Sequence, residues 1–158
     1  MALIYKTKNF IVEAFDTPHV TRTDGGHIKI YPKVKILDKT MMSPKMAIEY
    51  IRLTMVVGQA MKIGMTNRGI EIAIINYQEM GNWVFKRGEQ PYFHVHIYGR
   101  AKNAKYQPYQ EAVQLPDRAT GFYDKFEPLN KEDIIEIKKQ ISLIIKEDKY
   151  KDANWGLR

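Results

Sequence analysis

Gln90-Pro91-Tyr92-Phe93-His94-Val95-His96-Ile97-Tyr98-Gly99-Arg100 is the stretch from which the rest of the chain can be read. Successive side chains of an extended strand point to opposite faces, so His94, His96 and Tyr98 share one face while Phe93, Val95 and Ile97 share the other. The apolar face is fit to pack on a core, which leaves the imidazole face for chemistry. Two of the four histidines of the chain fall here. By itself a His-x-His pair is open to three readings: two metal ligands in search of a third, two core histidines satisfied by hydrogen bonds, or a catalytic pair.

Upstream, Asp24-Gly25-Gly26 is a turn signal, and His27-Ile28-Lys29-Ile30-Tyr31 alternates as a strand until Pro32 interrupts it. Ala2–Thr7 and Asn9–Phe15 read as a hairpin of β-branched and aromatic residues. His19 lies in the Thr- and Pro-rich loop between Asp16 and Gly26 and reads as a surface residue or as loop support. Ser43-Pro44 starts a helix, because the Ser hydroxyl accepts from a free amide and Pro at the first position needs no donor. Apolar spacing carries this helix to about Ile63, with Gly64 as its cap. Asn67-Arg68-Gly69 turns into a strand over Ile70–Asn76, and Tyr77–Glu89 reads as a long return loop to the histidine strand. Trp83 on that loop is placed either over a ligand base or as an anchor of the loop itself. After Arg100 no period is clear until Asn130 and Asp133, which resemble a capping box ahead of an Ile134, Ile137, Ile141, Ile145 stripe running to about Glu147.

The whole chain narrows the possibilities. Its 158 residues and 44% hydrophobic content suit a single domain with a real core. The sequence shows no signal-peptide pattern and no apolar run near the ~20 residues that span a bilayer, so a soluble, cytoplasmic protein with no membrane partner is expected. Cysteine is absent, which removes disulfides, thiolate nucleophiles and Cys-based metal sites. The 25 Lys and Arg against 18 Asp and Glu give +7, a balance that draws phosphorylated ligands. Scattered lysines without interleaved base-stacking aromatics favour small phosphorylated ligands over long nucleic acid.

Together these elements resemble the histidine triad (HIT) superfamily of nucleotide hydrolases and transferases. The resemblance runs roughly from Asn9 to Arg100. It rests on Gln90 ahead of His94-Val95-His96-Ile97-Tyr98, and on Gly26-His27-Ile28-Lys29-Ile30-Tyr31-Pro32-Lys33 with the Ser-Pro-initiated helix after it. Ile74-Ile75-Asn76 adds a strand ending in an Asn. What it implies is an α+β, HIT-like fold: an antiparallel sheet of about five strands with a long central helix and a C-terminal helix. Residues 1–158 would form one domain in which 101–158 are a C-terminal extension packed on the core, usually as a homodimer.

The resemblance also implies covalent catalysis, with His96 attacking the α-phosphorus of a nucleotide or dinucleotide and water or another acceptor resolving the nucleotidyl-imidazole. Dinucleoside polyphosphates and nucleoside phosphoramidates are the implied substrates, with no cofactor and no metal. His94, His27 and Gln90 would surround the phosphate and Asn76 would position the sugar or phosphate; apart from the resemblance, Arg100, Lys102 and Lys105, directly after the histidine strand, read either as contacts for distal phosphates or as solvated charges. Tyr98 stands where the family carries its third histidine, next to the leaving group, and a phenol of pKa ~10 offers a hydrogen bond there but no positive charge. The alternatives are a non-catalytic nucleotide-binding or interaction module on the same fold, and a His-ligated metal protein with His27 closing the site.

Overall fold

The computed structural model describes residues 1–157. Five strands, β1 (Ala2–Lys6), β2 (Phe10–Ala14), β3 (His27–Pro32), β4 (Ile72–Glu79) and β5 (Val95–Ala101), form one sheet in the order β1-β2-β3-β5-β4. Every neighbouring pair is antiparallel. With helices α1 (Pro44–Asn67) and α2 (Lys131–Ile144) this is the expected α+β architecture. No helix among the described residues is long and apolar enough to cross a membrane.

Alternation divides the sheet as expected. Phe10, Val12, Ile28, Ile30, Val95 and Ile97 are fully buried and join one core with Leu53, Val57, Ala60 and Met61 of α1. The register His27↔Tyr98, Lys29↔His96, Asn76↔Tyr98 and Gln78↔His96 puts these residues on the opposite face. Residues after Ala101 take part in the same core through Leu129, Ile134, Ile137, Ile141, Ile144 and Tyr150.

The helix starts are as expected. Ser43 Oγ accepts from the Met46 amide at 3.3 Å, and Asn130 and Asp133 form a reciprocal capping box, Asp133 N–H to Asn130 Oδ1 at 2.9 Å and Asn130 N–H to Asp133 Oδ2 at 3.1 Å. Boundaries differ in three places. α1 does not stop at Gly64; a methyl there would lie 3.1 Å from Ile137 Cγ1, so this glycine lets α1 and α2 approach closely. The left-handed Gly69, φ +85°, follows the helix instead. β4 begins at Ile72 and continues past Asn76 to Glu79, because Tyr77, Gln78 and Glu79 pair with Ile97, His96 and Val95. α2 ends at Ile144, a few residues short of Glu147.

The aperiodic segment after Ala101 is held by buried polar groups. Asp24 is 1% exposed and accepts from the amides of Lys105, Tyr106 and Gln107 at 2.9, 2.6 and 2.8 Å. Gln107 donates to the carbonyls of His19 and Gln114 and accepts from the Gln114 amide. These bonds lay the 16–26 loop and the 102–117 segment over the imidazole face. The turn at Gly25 and Gly26, φ +129° and +86°, needs glycine, and Gly25 sits so near Gly99 of β5 that neither tolerates a side chain.

Candidate functional site

A cavity of about 310 Å³ opens on the imidazole face, lined by Phe15, Thr17, His19, Lys29, Trp83, Arg87, Tyr92, His94, His96, Leu115 and Arg118 among others. Strand pairing brings β3 and β5 together at its floor. The 16–26 loop supplies one wall, a short 3-10 turn at Asn82–Arg87 the second, and the segment after β5 the third through Leu115 and Arg118.

Four imidazoles meet here. His27 Nε2 lies 2.7 Å from His96 Nδ1, and His96 Nε2 lies 3.1 Å from His94 Nε2. At one end of this row the backbone amide of His19 donates to His27 Nδ1 at 3.1 Å, and at the other His94 Nδ1 lies 2.8 Å from the Tyr92 carbonyl oxygen. Each end sets the hydrogens independently. An amide only donates, so His27 Nδ1 is bare and a neutral His27 carries its hydrogen on Nε2, which donates to His96 Nδ1; His96 therefore carries its own on Nε2 and donates to His94. A carbonyl only accepts, so His94 carries its hydrogen on Nδ1. The two deductions meet in the middle without conflict.

Burial keeps the row neutral. It is the largest cause that lowers His19 and His94 to about 4 and His96 to about 2, and it holds His27 well below its ordinary 6.5. Neighbouring positive charge adds to the effect: Arg118 on His19, and Lys29 on His96. Tyr98 is raised above the ordinary phenol range, again by burial first. It therefore remains protonated, and its hydroxyl lies 2.9 Å from His19 Nδ1.

His19, read as surface or loop support, is only 6% exposed and belongs to this cluster, where it lies against Trp83, His27, His96 and Tyr98. The structure brings His94 and His96 to the cavity lining and sets His27 and Tyr98 behind them. It does not bring Gln90, Asn76 or Arg100 there. Gln90 lines a separate concavity with Lys35, Ile36, Leu37 and Tyr92. Arg100 is fully buried and donates to Asn76 Oδ1 at 2.6 Å and to the carbonyls of Pro108 and Glu111 at 2.5 and 3.0 Å, which occupies both residues in fastening the segment after β5.

Sequence reasoning missed the cationic lining. Lys29 donates to the Tyr92 hydroxyl at 2.5 Å and lies over the Tyr92 ring. Arg118 donates to the Thr17 carbonyl at 2.6 Å and lies over the rings of Tyr123 and Trp83. Neither has a carboxylate partner among the described residues, whereas Arg87 pairs with Glu89 at 2.9 Å. Alternation already placed Lys29 on the imidazole face and could have nominated it; nothing local marks Arg118.

For a metal, ligand nitrogens of His19, His27 and His96 lie within 4.8 Å of one another. With the His19 amide donating to Nδ1, a neutral His27 is left to carry its hydrogen on Nε2 and would have to release it to serve as a ligand there.

An antiparallel five-stranded sheet backed by one long helix, with a row of strand histidines at a cavity on its open face, defines the histidine triad fold. Solved structures similar to this chain carry it. A HIT-like protein involved in cell-cycle regulation from Bartonella henselae, solved with an unknown ligand, shares 14% identity over 88% of this chain and 85% of its own, with a TM-score of 0.56. A hypothetical histidine triad nucleotide-binding protein from Sulfolobus tokodaii shares 16% over 93% and 85%, TM-score 0.55. A zinc-bound histidine triad family protein from Mycobacterium smegmatis shares 17% over 90% and 84%, TM-score 0.55. No family model matches the sequence, and no curated protein matches it. The chain has the HIT fold, and the likeness extends well past Arg100, where the sequence resemblance stops.

Proposed function

We propose that this chain binds nucleotides and cleaves or transfers them at the α-phosphorus, through a covalent intermediate on an imidazole of the His94–His96 pair. One observation carries this: two neutral imidazoles face a cavity whose lining holds Lys29, Arg87 and Arg118 but no aspartate or glutamate among the described residues. Neutral imidazole is a nucleophile near pH 7, and Lys29 and Arg118, which have no acid beside them, suit a polyanion. Trp83 and Phe15 offer flat apolar surface for a base. The Sulfolobus tokodaii neighbour, described as nucleotide-binding, agrees with this reading. His27 and Tyr98 act from behind the lining as positioning residues.

The test is turnover of diadenosine tetraphosphate, adenosine 5′-phosphoramidate and a nucleoside diphosphate sugar by the wild-type chain and by His94→Ala and His96→Ala. Turnover by wild type that either substitution abolishes supports the proposal. Tight AMP binding with no turnover of any substrate would replace it by a binding module. Loss of turnover on chelation, with metal at one equivalent, would favour the metal reading that the zinc-bound neighbour raises.

The chain is further proposed to act as a cytoplasmic homodimer. β4 ends the sheet, and Ile74 and Tyr77 on it are half exposed, an edge that a second copy would cover.

A further inference from the structure

Of the four imidazoles at the cavity, three have both ring nitrogens engaged by the protein. His27 is met at Nδ1 by the His19 amide and at Nε2 by His96; His96 lies between His27 and His94; His94 lies between His96 and the Tyr92 carbonyl. His19 differs. Its Nδ1 lies 2.9 Å from the Tyr98 hydroxyl, while its Nε2 has no hydrogen-bond partner among the described residues and is not sealed from solvent. The ring lines the cavity, and that is where the unpartnered nitrogen opens.

Tyr98 decides whether that nitrogen carries a hydrogen. The phenol is fully buried, stays protonated, and has a single hydrogen-bond partner among the described residues, His19 Nδ1. Turned anywhere else, its hydrogen would be a buried donor with no acceptor, so Tyr98 O–H donates to Nδ1. Burial and the Arg118 charge keep His19 neutral, and a neutral ring that accepts at Nδ1 carries its hydrogen on Nε2. The nitrogen facing the cavity is therefore a donor.

Its position is fixed, although it belongs to a loop. The His19 amide donates to His27 Nδ1 at 3.1 Å, its carbonyl accepts from Gln107 at 3.0 Å, and its ring accepts from Tyr98. All three partners are at most 1% exposed, so the anchors do not yield to solvent. Held in this way, the ring centre lies 5.4 Å from that of His96 and 5.4 Å from that of Trp83, whose face Arg118 covers. A phosphate reacting at the His94–His96 pair comes within hydrogen-bond reach of a donor so placed.

Resting on the nucleotide reading above, we infer that His19 is a further catalytic residue: its Nε2–H donates to an oxygen of the reacting phosphate, and Tyr98 is the positioning residue that keeps that hydrogen on the cavity side. As the N–P bond forms, the P–O bond to the leaving group breaks with its electron pair, and charge grows on the phosphate oxygens. A neutral donor already held in place favours that charge without reorganising. The proton stays on Nε2 throughout, because passing it on would require Tyr98 to surrender its own, and burial holds that phenol protonated.

Two substitutions separate the two ring nitrogens, since an Asn amide reaches about as far as Nδ1 and a Gln amide about as far as Nε2. His19→Asn can still accept from Tyr98 but offers the cavity no donor. His19→Gln can offer the donor but leaves Tyr98 without its acceptor. Both retain the backbone amide that orients His27. On whichever of the three substrates named above the wild type turns over, His19→Asn should lower kcat about a hundredfold with KM within about threefold, the scale of one lost oxyanion donor. His19→Gln should stay within about tenfold of the wild-type kcat while unfolding at lower urea. The reverse order is the result of a ring that serves only to hold Tyr98, and it overturns the inference while leaving the proposed function standing. Equal losses in the two variants, or none in either, overturn it as well. A second measurement needs neither turnover nor a variant. In 15N NMR of the free protein His19 should carry its hydrogen on Nε2, and added AMP should move that resonance. A hydrogen on Nδ1, or an AMP complex that shifts His94 or His96 and leaves His19 Nε2 unmoved, overturns the inference; AMP that shifts no imidazole, with no turnover by the wild type, removes both the inference and the nucleotide reading.

Discussion

Lowering the pH should unfold this protein through its histidines before its carboxylates. His19, His94 and His96 are 6%, 8% and 5% exposed, so solvent screening removes little of the effect. Burial lowers them to about 4, about 4 and about 2 in the fold, whereas an unfolded chain returns each to about 6.5. Between those values the unfolded chain binds a proton that the folded chain refuses. Stability is therefore complete above about pH 6.5 and falls as the pH drops toward the folded values. At pH 5 each of the three has cost about 2 kcal/mol relative to pH 7, together about 6 kcal/mol. His27, also lowered, adds in the same direction. Whole domains are stable by about 5–15 kcal/mol, so most of the margin would be gone by pH 5. Urea unfolding followed by circular dichroism at pH 7, 6 and 5 measures it. A free energy at pH 5 within about 1 kcal/mol of that at pH 7 would refute the neutral, confined row of imidazoles.

Arg100→Met should cost about 2–4 kcal/mol, because it leaves Asn76 Oδ1 and the Pro108 and Glu111 carbonyls without their donor; a raised KM at unchanged urea midpoint would instead restore the phosphate role suggested by its place after the histidine strand. Gly58→Ala puts a methyl onto the Tyr77 hydroxyl where α1 crosses β4, and should cost about 1–3 kcal/mol, with Tyr77→Phe recovering part of it in the double variant.

The sheet and both helices were legible because their signals are local. Alternation marked β3 and β5, Ser43-Pro44 marked the start of α1, and the Asn130–Asp133 box marked α2. Gly64 misled because a helical glycine has two uses, and only the position of Ile137, far along the chain, shows that close packing rather than termination is the one in force. His94, His96 and His27 were found by type and spacing. His19 and Arg118 were not, because a histidine in a Thr-rich loop and an arginine after Asp117 have no period or motif; they reach the cavity only once Asp24 and Gln107 pin two irregular segments over the sheet. Asn76, paired with Tyr98, and Arg100, two residues beyond it on β5, lie on the imidazole face. Their partnership with each other and with distant carbonyls follows from the path of the chain after Ala101, which carries no local signal.

The hydrogen that orients the imidazole row belongs to the peptide bond of residue 19 and not to any side chain. Nineteen of the genetically encoded choices at that codon would leave it in place, and only proline deletes it. The polarity of the row is thus shielded from ordinary point mutation. A lineage could exchange the His19 ring, and with it the bond to Tyr98 and the donor proposed at Nε2, while inheriting the same tautomers at His27, His96 and His94, so that sequence drift in the loop and constancy of the row can coexist.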